Sequence, residues 1–349
     1  MTRAPRSDAV ERRRTLRRRR SAAALALCLS LALVVWASTS GSPAHPTFAK
    51  EAGRKSAVSR ATLGHFVRRR LPVALPFALQ DAAAASVGSG RVVLLGGLNA
   101  ADTSTVAVSV LDANGVHAGG TLPVAQHDAQ AALLGGRVYV FGGGQFSSYD
   151  HILAYDPASG RIGEAAHLPT PTSDAAVAVI AGTAYVVGGY DGERALATIV
   201  AWRPGEQPRI VGRLPYGLRY AAVAASAGRL VVVGGSREEA ATSAILSFDP
   251  TTGAVRRIGE LPAPLTHAAA VALGSYVYVL GGRGSAPGSQ RRGVIAIDPA
   301  SGRAQRDGTL SLRLSDAAAV LVGESIWLIG GLGTAGASAE VFELTPTAP

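Results

Sequence analysis

The eight residues RVYVFGGG, Arg137–Gly144, form an alternating apolar strand that runs directly into glycines. Glycine weakens the interior of a strand, so a glycine pair at its end indicates a sharp turn beside other backbone. Similar strands recur along the chain, and their glycine pairs begin at Gly96, Gly142, Gly188, Gly234, Gly281 and Gly330. The successive spacings of 46, 46, 46, 47 and 49 residues indicate one supersecondary unit repeated around an array.

Each repeat predicts four β-strands in a fixed order. A loop that usually contains Leu-Pro leads into an alanine-rich strand, a glycine-containing turn and the apolar strand that ends at the glycine pair. After a variable loop, Asp-Pro-x-x-Gly turns at Asp156, Asp249 and Asp298 join two further strands. Alanine suits the innermost strand of radially arranged sheets, where only small side chains fit. The glycine pairs are therefore predicted to be architectural, and no helix follows them to form a phosphate-binding loop.

This pattern resembles the kelch-repeat β-propeller family. The double glycine after an apolar strand, the Leu-Pro lead-in and the Tyr-Asp-Pro of the third strand all match, over about residues 64–349. The resemblance implies an all-β, six-bladed propeller of four-stranded blades. The tryptophan that kelch repeats usually carry in the fourth strand is missing, because Trp202 and Trp327 fall in other strands. Only 18 residues follow Gly331, so we expect residues 63–71 to supply the missing strand of the last blade and hide the open edges.

The net charge of +10 does not describe the predicted propeller. Residues 1–20 carry +7 and residues 38–70 carry +6, which leaves −3 for residues 71–349. A mildly acidic body has no basic face to attract phosphates, and this argues against a nucleic-acid partner.

The N-terminal region predicts export or anchoring. Residues 1–20 are interpreted as a basic cytoplasmic tail, residues 21–37 as a signal peptide or transmembrane anchor, and residues 38–62 as a flexible stalk. The apolar run of 16 residues is short for a spanning helix and long for a signal peptide, so both alternatives remain open. Both place the propeller, residues 63–349, outside the cytoplasm, secreted or attached to the cell membrane through the N-terminal segment only. The single cysteine, Cys28, precedes this body, which therefore has no disulfide.

Polar residues recur at the start of the inner strand, where a propeller would place them around one mouth of its channel. They are Asp81, Asp128, Asp174, Tyr220, His267 and Asp316. We expect the carboxylates to be mainly structural, accepting hydrogen bonds from loop N–H groups or bridging to the next blade; the alternative is a cation or ligand site. Tyr220 and His267 break the symmetry in adjacent blades and, with Arg219, mark the side where specificity would lie. Arg219 and Arg313 are candidate partners that neutralise the ring.

The loops after the glycine pairs vary in sequence, which is typical of a binding face on a fixed frame. They supply the further ligand-binding candidates Tyr190, Asp191, Arg194, Arg237, Glu238 and Arg283. No zinc-ligand spacing, nucleophile elbow or paired-carboxylate motif occurs in the sequence. We therefore predict no metal, no cofactor and no catalytic residue.

These features predict a monomeric, non-catalytic binding module for a protein or a cell-surface glycan. The alternative is an exported sugar-modifying enzyme, because the repeat is also similar to the bacterial sialic-acid mutarotase, a kelch-like propeller of comparable size. Mutarotation needs an acid/base pair at the channel mouth, which the polar ring would supply. The radical chemistry of kelch-like copper oxidases is excluded, since it needs a cysteine that the body lacks.

Overall fold

The structure, a computed structural model, describes residues 66–347, which form strands and turns and no helix. The predicted cytoplasmic tail, signal or anchor segment and stalk, residues 1–62, lie outside the described residues. In the part of the chain that is described, no helix is long and apolar enough to cross a membrane.

The described residues contain thirty strands. In chain order they are β1 (Phe66–Ala74), β2 (Leu79–Gln80), β3 (Ala83–Gly88), β4 (Arg91–Leu95), β5 (Leu98–Asn99), β6 (Thr105–Asp112), β7 (Gly115–Gln126), β8 (Gln130–Leu134), β9 (Arg137–Phe141), β10 (His151–Tyr155), β11 (Ile162–His167), β12 (Ala176–Ile180), β13 (Thr183–Val187), β14 (Thr198–Trp202), β15 (Arg209–Arg213), β16 (Ala222–Ser226), β17 (Arg229–Val233), β18 (Ser236–Arg237), β19 (Ala240–Asp249), β20 (Ala254–Leu265), β21 (Ala269–Leu273), β22 (Tyr276–Leu280), β23 (Gly293–Ile297), β24 (Ala304–Thr309), β25 (Leu314–Ser315), β26 (Ala318–Val322), β27 (Ser325–Ile329), β28 (Leu332–Gly333), β29 (Gly336–Ala337) and β30 (Glu340–Pro346).

The longer strands form antiparallel sheets that repeat one connectivity. From the inner to the outer strand they are sheet I (β3-β4-β6-β7), sheet II (β8-β9-β10-β11), sheet III (β12-β13-β14-β15), sheet IV (β16-β17-β19-β20), sheet V (β21-β22-β23-β24) and sheet VI (β26-β27-β30-β1). The short strands β2, β5, β18, β25, β28 and β29 pair within the connecting loops. The prediction of four strands per repeat is confirmed, and the Asp-Pro turns join the third strand to the fourth in sheets II, IV and V.

Sheet VI joins the two ends of the described chain. β1 pairs with β30 from Phe66 opposite Pro346 to Arg70 opposite Phe342, and β30 pairs in turn with β27. The outer strand of sheet VI thus comes from the N-terminal side of the chain, while its other three strands come from the last repeat. The part of the expected closing segment that is described, residues 66–71, lies in this strand.

The alanine-rich strands are the innermost strands of the six sheets. Each contacts the innermost strand of the next sheet, and β26 contacts β3, so that the contacts form a closed cycle. Together they enclose a channel of about 160 Å³ whose wall is mostly alanine. Larger apolar side chains of the second and third strands, such as Val93, Leu230 and Ile326, are fully buried between adjacent sheets. Tertiary packing therefore overrides the helical propensity of the alanine runs.

The glycine pairs connect each sheet to the next. The second glycine donates its N–H, at 2.8–2.9 Å, to a carbonyl oxygen in the segment that leads into the first strand of the following sheet. The pairs are Gly97 with Gln126, Gly143 with Thr172, Gly189 with Leu218, Gly235 with Leu265, Gly282 with Leu314, and Gly331 with Leu79. Gly188 has a φ of 64°, and a Cβ there would clash with the carbonyl oxygen of Leu218. The architectural role predicted for the glycines is confirmed.

Candidate ligand-binding site at the channel mouth

The polar ring is held together by its backbone. The ring residues are Asp81, Asp128, Asp174, Tyr220, His267 and Asp316, and each has a positive φ of 50–58°. The N–H of each donates to the carbonyl oxygen of the ring residue in the preceding sheet at 2.9–3.1 Å, and that of Asp81 donates to Asp316. Six hydrogen bonds therefore close a cycle around one end of the channel. Aspartate and histidine occur in this left-handed conformation more readily than most non-glycine residues.

The side chains of the ring do not cap the loops as the sequence suggested. Among the described residues, no backbone N–H donates to a ring carboxylate, so that part of the structural interpretation is wrong. The bridge from one sheet to the next is made by main-chain atoms, and the side chains instead line the channel together with the alanines.

The carboxyl groups on one side of the ring interact with each other. Burial raises the pKa of Asp81 well above its usual value, and the neighbouring charges of Asp128 and Asp316 raise it further. Burial and the charge of Asp174 likewise raise the pKa of Asp128, and burial raises the pKa of Asp316 to about 6. A carboxyl that keeps its proton donates a hydrogen bond to its neighbour instead of repelling it. Within residues 66–347, no group of three or more His, Cys, Asp or Glu residues is arranged to hold a metal ion.

Arg219 neutralises the opposite side of the ring. Its Nε and Nη2 atoms lie 2.6 and 2.5 Å from Oδ2 of Asp174, whose side chain is only 2% exposed. The guanidinium also lies 4.0 Å from the ring centroid of Tyr190. The partner role predicted for Arg219 is confirmed. The same prediction for Arg313 is wrong, because Nη1 of Arg313 donates to the carbonyl oxygen of Gln290 at 3.2 Å, outside the ring.

Tyr220 and His267 stack on each other between these two sides. Their ring centroids are 3.7 Å apart with an interplanar angle of 22°. Burial and the charges of Arg283 and Arg219 lower the pKa of His267 to about 3, so its imidazole is neutral. Nη2 of Arg283 donates to Nε2 of His267 at 3.1 Å, and this leaves Nδ1–H to donate to Oγ1 of Thr266 at 3.0 Å. Oδ1 of Asp316 lies 3.9 Å from the same Nε2.

A second cavity, the outer mouth, lies on the loop side of the ring. Its volume is about 190 Å³. It is lined by Gln80, Asp81, Tyr220, His267, Arg283, Pro287, Gly288, Gln290, Asp316 and Leu332. Gln80 and Gln290 are 6% and 3% exposed, and Oε1 of neither accepts a hydrogen bond from the described residues. A buried acceptor without a donor costs about 1–3 kcal/mol, so this cavity favours a ligand that supplies donors.

Sequence reasoning missed both glutamines, although the repeat contains a signal for one of them. The residue before every ring position is polar, and the set is Gln80, His127, Ser173, Arg219, Thr266 and Ser315. Each forms a short antiparallel bridge with the residue that follows the glycine pair of its own repeat. The variable loops are therefore fastened to the ring at this position. Gln290 lies within one of these loops and has no counterpart in the pattern.

The structure separates the loop candidates into three places. Arg283 lines the outer mouth, and Tyr190 contacts Arg219 beside the ring. Asp191 instead stabilises its own loop, since Oδ1 accepts the N–H groups of Glu193 and Arg194 at 2.9 and 2.8 Å. Arg237 lies over the ring of Tyr216 at 5.0 Å and lines a separate surface pocket with Glu238. Ligand binding by any of these residues stays a prediction.

The comparisons with known proteins concern this same repeat region. Residues 81–282 match the family described as the KLHDC2/KLHL20/DRC7 Kelch-repeats domain. The solved structure of YjhT is similar with a TM-score of 0.68 and 18% sequence identity, covering 78% of this chain and 96% of that chain. At this identity the likeness is one of fold. No curated protein matches the sequence.

Proposed function

Because the chain belongs to the KLHDC2/KLHL20/DRC7 Kelch-repeats family, we propose that it is a six-bladed kelch propeller whose channel mouth binds a protein or cell-surface ligand without chemical change. Kelch repeats typically mediate protein interactions. The two closed cycles of backbone hydrogen bonds, one through the ring and one through the glycine pairs, support six blades.

The outer mouth is the observation that carries this proposal. Much of the ring is neutralised internally, through Arg219 on one side and through the raised pKa values of Asp81 and Asp128 on the other. The outer mouth differs, because it contains the two glutamine oxygens that accept no hydrogen bond from described residues. Beside them lies Arg283, which forms no ion pair in the described residues and donates to His267 and to carbonyl oxygens of its own loop. Its volume of about 190 Å³ is below the usual range for small-molecule pockets, about 300–1,000 Å³. We therefore expect it to receive one protruding group of a larger partner, with a donor for the glutamines and an acceptor for Arg283.

Affinity capture with mouth variants tests the proposal. The full chain, the Arg283→Ala variant and the Arg237→Ala control are used to capture cross-linked partners from cell-envelope extracts. The control removes an arginine from the separate surface pocket. We expect a partner that the parent and the control retain and that Arg283→Ala loses. Equal recovery of every captured protein by all three would contradict a binding site at the mouth.

One observation favours an enzyme as the second candidate. The carboxyl of Asp316 has a pKa of about 6 and lines the outer mouth 3.9 Å from His267, so one group that exchanges a proton near neutral pH faces this cavity. Equilibration of the anomers of N-acetylneuraminic acid, followed by proton NMR, distinguishes the two functions. Acceleration that is lost in Asp316→Asn and kept in Arg237→Ala would establish the mutarotase alternative. If the anomers equilibrate at the spontaneous rate, the non-catalytic binding module remains the proposed function.

We also propose that the propeller lies outside the cytoplasm, with residues 21–37 as its signal peptide or anchor. The support is the charge asymmetry of the sequence, in which an arginine-rich segment precedes the apolar run. Protease added to intact spheroplasts should digest the propeller, and full protection would refute this location. A mature N-terminus near Ser38 would identify cleavage, while its absence would identify an anchor.

A further inference from the structure

A third cavity, which we call the arginine groove, lies between sheets IV and V. Its volume is about 590 Å³, and it shares no lining residue with the channel or the outer mouth. Arg291, Arg292, Arg306 and Arg313 line it, and no aspartate or glutamate does. The groove is therefore strongly basic on a propeller body that is mildly acidic.

The charges of the groove are not neutralised by the protein. Within residues 66–347, none of its four arginines forms an ion pair, whereas Arg69 and Arg229 elsewhere pair with Glu343 and Asp249. Like charges that converge without a counter-ion repel each other, and a bound anion would relieve this repulsion.

Sheet V departs from the repeat beside the groove. The first glycine of each pair donates its N–H to a residue in the third strand, and this hydrogen bond aligns the six repeats. The acceptors are Ala107, His151, Thr198, Ala244, Gly293 and Glu340. Gly293 is the one without a side chain, and a Cβ there would meet nothing within 4 Å. Gly293 lines the groove, so a larger side chain at this position would extend into open space beside the arginines.

Three of the four arginines occupy repeat positions that are not basic elsewhere. The two residues before the aligned position are Arg291 and Arg292 in sheet V. In the other repeats they are Thr105 and Val106, Tyr149 and Asp150, Leu196 and Ala197, Thr242 and Ser243, and Ser338 and Ala339. Arg313 lies three residues before its ring position, where the other repeats have Ala78, Ala125, Pro171, Gly217 and Pro264. Three arginines and one glycine thus break the repeat symmetry at a single cavity, which a purely architectural role does not require.

We propose that the arginine groove binds a small polyanion that carries two or more phosphate or carboxylate groups on an aliphatic framework. Four guanidinium groups match several anionic groups better than one. Between them the wall includes Pro262, Leu265 and Ile295 and no aromatic residue, so it offers apolar contact but no stacking surface for a base or a sugar ring. This site is separate from the channel mouth, and its occupancy does not depend on the function proposed there.

Isothermal titration of the full chain with propane-1,3-bisphosphonate and, separately, with citrate tests the proposal. Gly293→Leu fills the groove without changing any charge, and Arg306→Gln removes one charge without filling it. Arg256→Gln is the matched control, because Arg256 is an exposed arginine of β20 that does not line the groove. We expect the parent and the control to bind at least one of the two anions with similar affinity. Each groove variant should weaken that binding about tenfold or more, as loss of a charge-assisted contact does.

The two anions distinguish phosphate from carboxylate ligands, and binding of either supports the site. Melting temperatures of the variants establish that each one is folded. If neither anion binds, the proposal is refuted. Polyaspartate is titrated as a third probe, and binding of polyaspartate alone would also refute the proposal, since the occupant would then be an acidic macromolecule. An equal loss of affinity in Arg256→Gln would show diffuse attraction instead of a site. Unchanged affinity in Gly293→Leu would place the anion elsewhere.

Discussion

Replacement of Asp316 by asparagine should change the pH dependence of stability in a defined direction. Burial raises the pKa of Asp316 in the folded protein to about 6, from an ordinary value of 3.8. The native state therefore holds this proton more firmly than the unfolded chain does. The resulting stabilisation is fully present below the unfolded pKa and is lost as the pH rises through the folded pKa. A difference of about two pKa units corresponds to about 3 kcal/mol.

Asparagine stays neutral at every pH and resembles the protonated acid in shape, and it keeps an acceptor for the Ser315 hydroxyl that bonds to Asp316. The variant should therefore match the parent near pH 4 and exceed its free energy of unfolding by up to about 3 kcal/mol at pH 8. Urea denaturation of both proteins at several pH values between 4 and 8 measures this difference. Titrating groups that do not interact with Asp316 contribute equally in both proteins and cancel. The pKa values of Asp81 and Asp128 are raised by the Asp316 charge, so the variant also relieves these two groups, and this adds to its stability at high pH.

Asp191→Asn is the control with the opposite sign. Backbone N–H groups of its loop hold the pKa of Asp191 below its ordinary value despite partial burial, so its ionised form stabilises the native state and is kept at high pH. This variant should be less stable than the parent at pH 8, by an amount that shrinks as the pH falls below 4. If the difference between Asp316→Asn and the parent were constant from pH 4 to 8, the ring carboxyl would ionise normally and proton sharing in the ring would be refuted.

Three further changes test the pairing and closure of the fold. Arg219→Gln leaves a buried carboxylate without its cation, so urea denaturation should show a loss of about 3–5 kcal/mol; a loss below about 1 kcal/mol would mean that the pair behaves as a surface ion pair. Gly188→Ala should cost about 2–4 kcal/mol, because its Cβ clashes with a carbonyl oxygen of the next sheet, and Gly192→Ala about 1 kcal/mol, because its Cβ meets nothing within 4 Å. Equal losses of stability in the two variants would show that the connection between the sheets tolerates a side chain at Gly188. Deletion of Phe66–Ala74 should unfold the propeller at room temperature, whereas deletion of residues 38–62 should leave the melting temperature unchanged; similar melting curves for the two deletions would contradict closure by β1.

The repeat, the glycine pairs that connect the sheets and the inner alanine strands were predictable, because each depends on a local sequence pattern that recurs six times. A glycine pair after a strand has few structural explanations, and alanine is the residue that a crowded axis accepts. The conformation of the ring was not predictable in the same way. Asp81, Tyr220 and His267 adopt positive φ without being glycine, because each backbone bonds to a residue about 46 positions away, which no local pattern records.

The candidate site was only partly predictable for a related reason. The ring residues share one repeat position, so the sequence indicated that they would meet. Gln290 can be recognised as a candidate only in the folded structure, where its loop buries it. A glutamine in a loop gives no indication of burial in the sequence. Arg313 is three residues from a ring position, yet it lines the arginine groove, because adjacent residues of an extended segment project to different sides.

The pairing of β1 with β30 has a mechanical consequence. β1 is the outermost strand of sheet VI, so the chain that precedes Phe66 leaves the molecule at its rim and not at its axis. If that segment is a membrane tether, tension on it acts first on the antiparallel pairing between Phe66 and Pro346 and on the contact of Phe66 with Tyr278 of sheet V. The strand that completes the propeller would then also be the first to yield under load, and the force that detaches it would set the pulling strength at which the molecule opens.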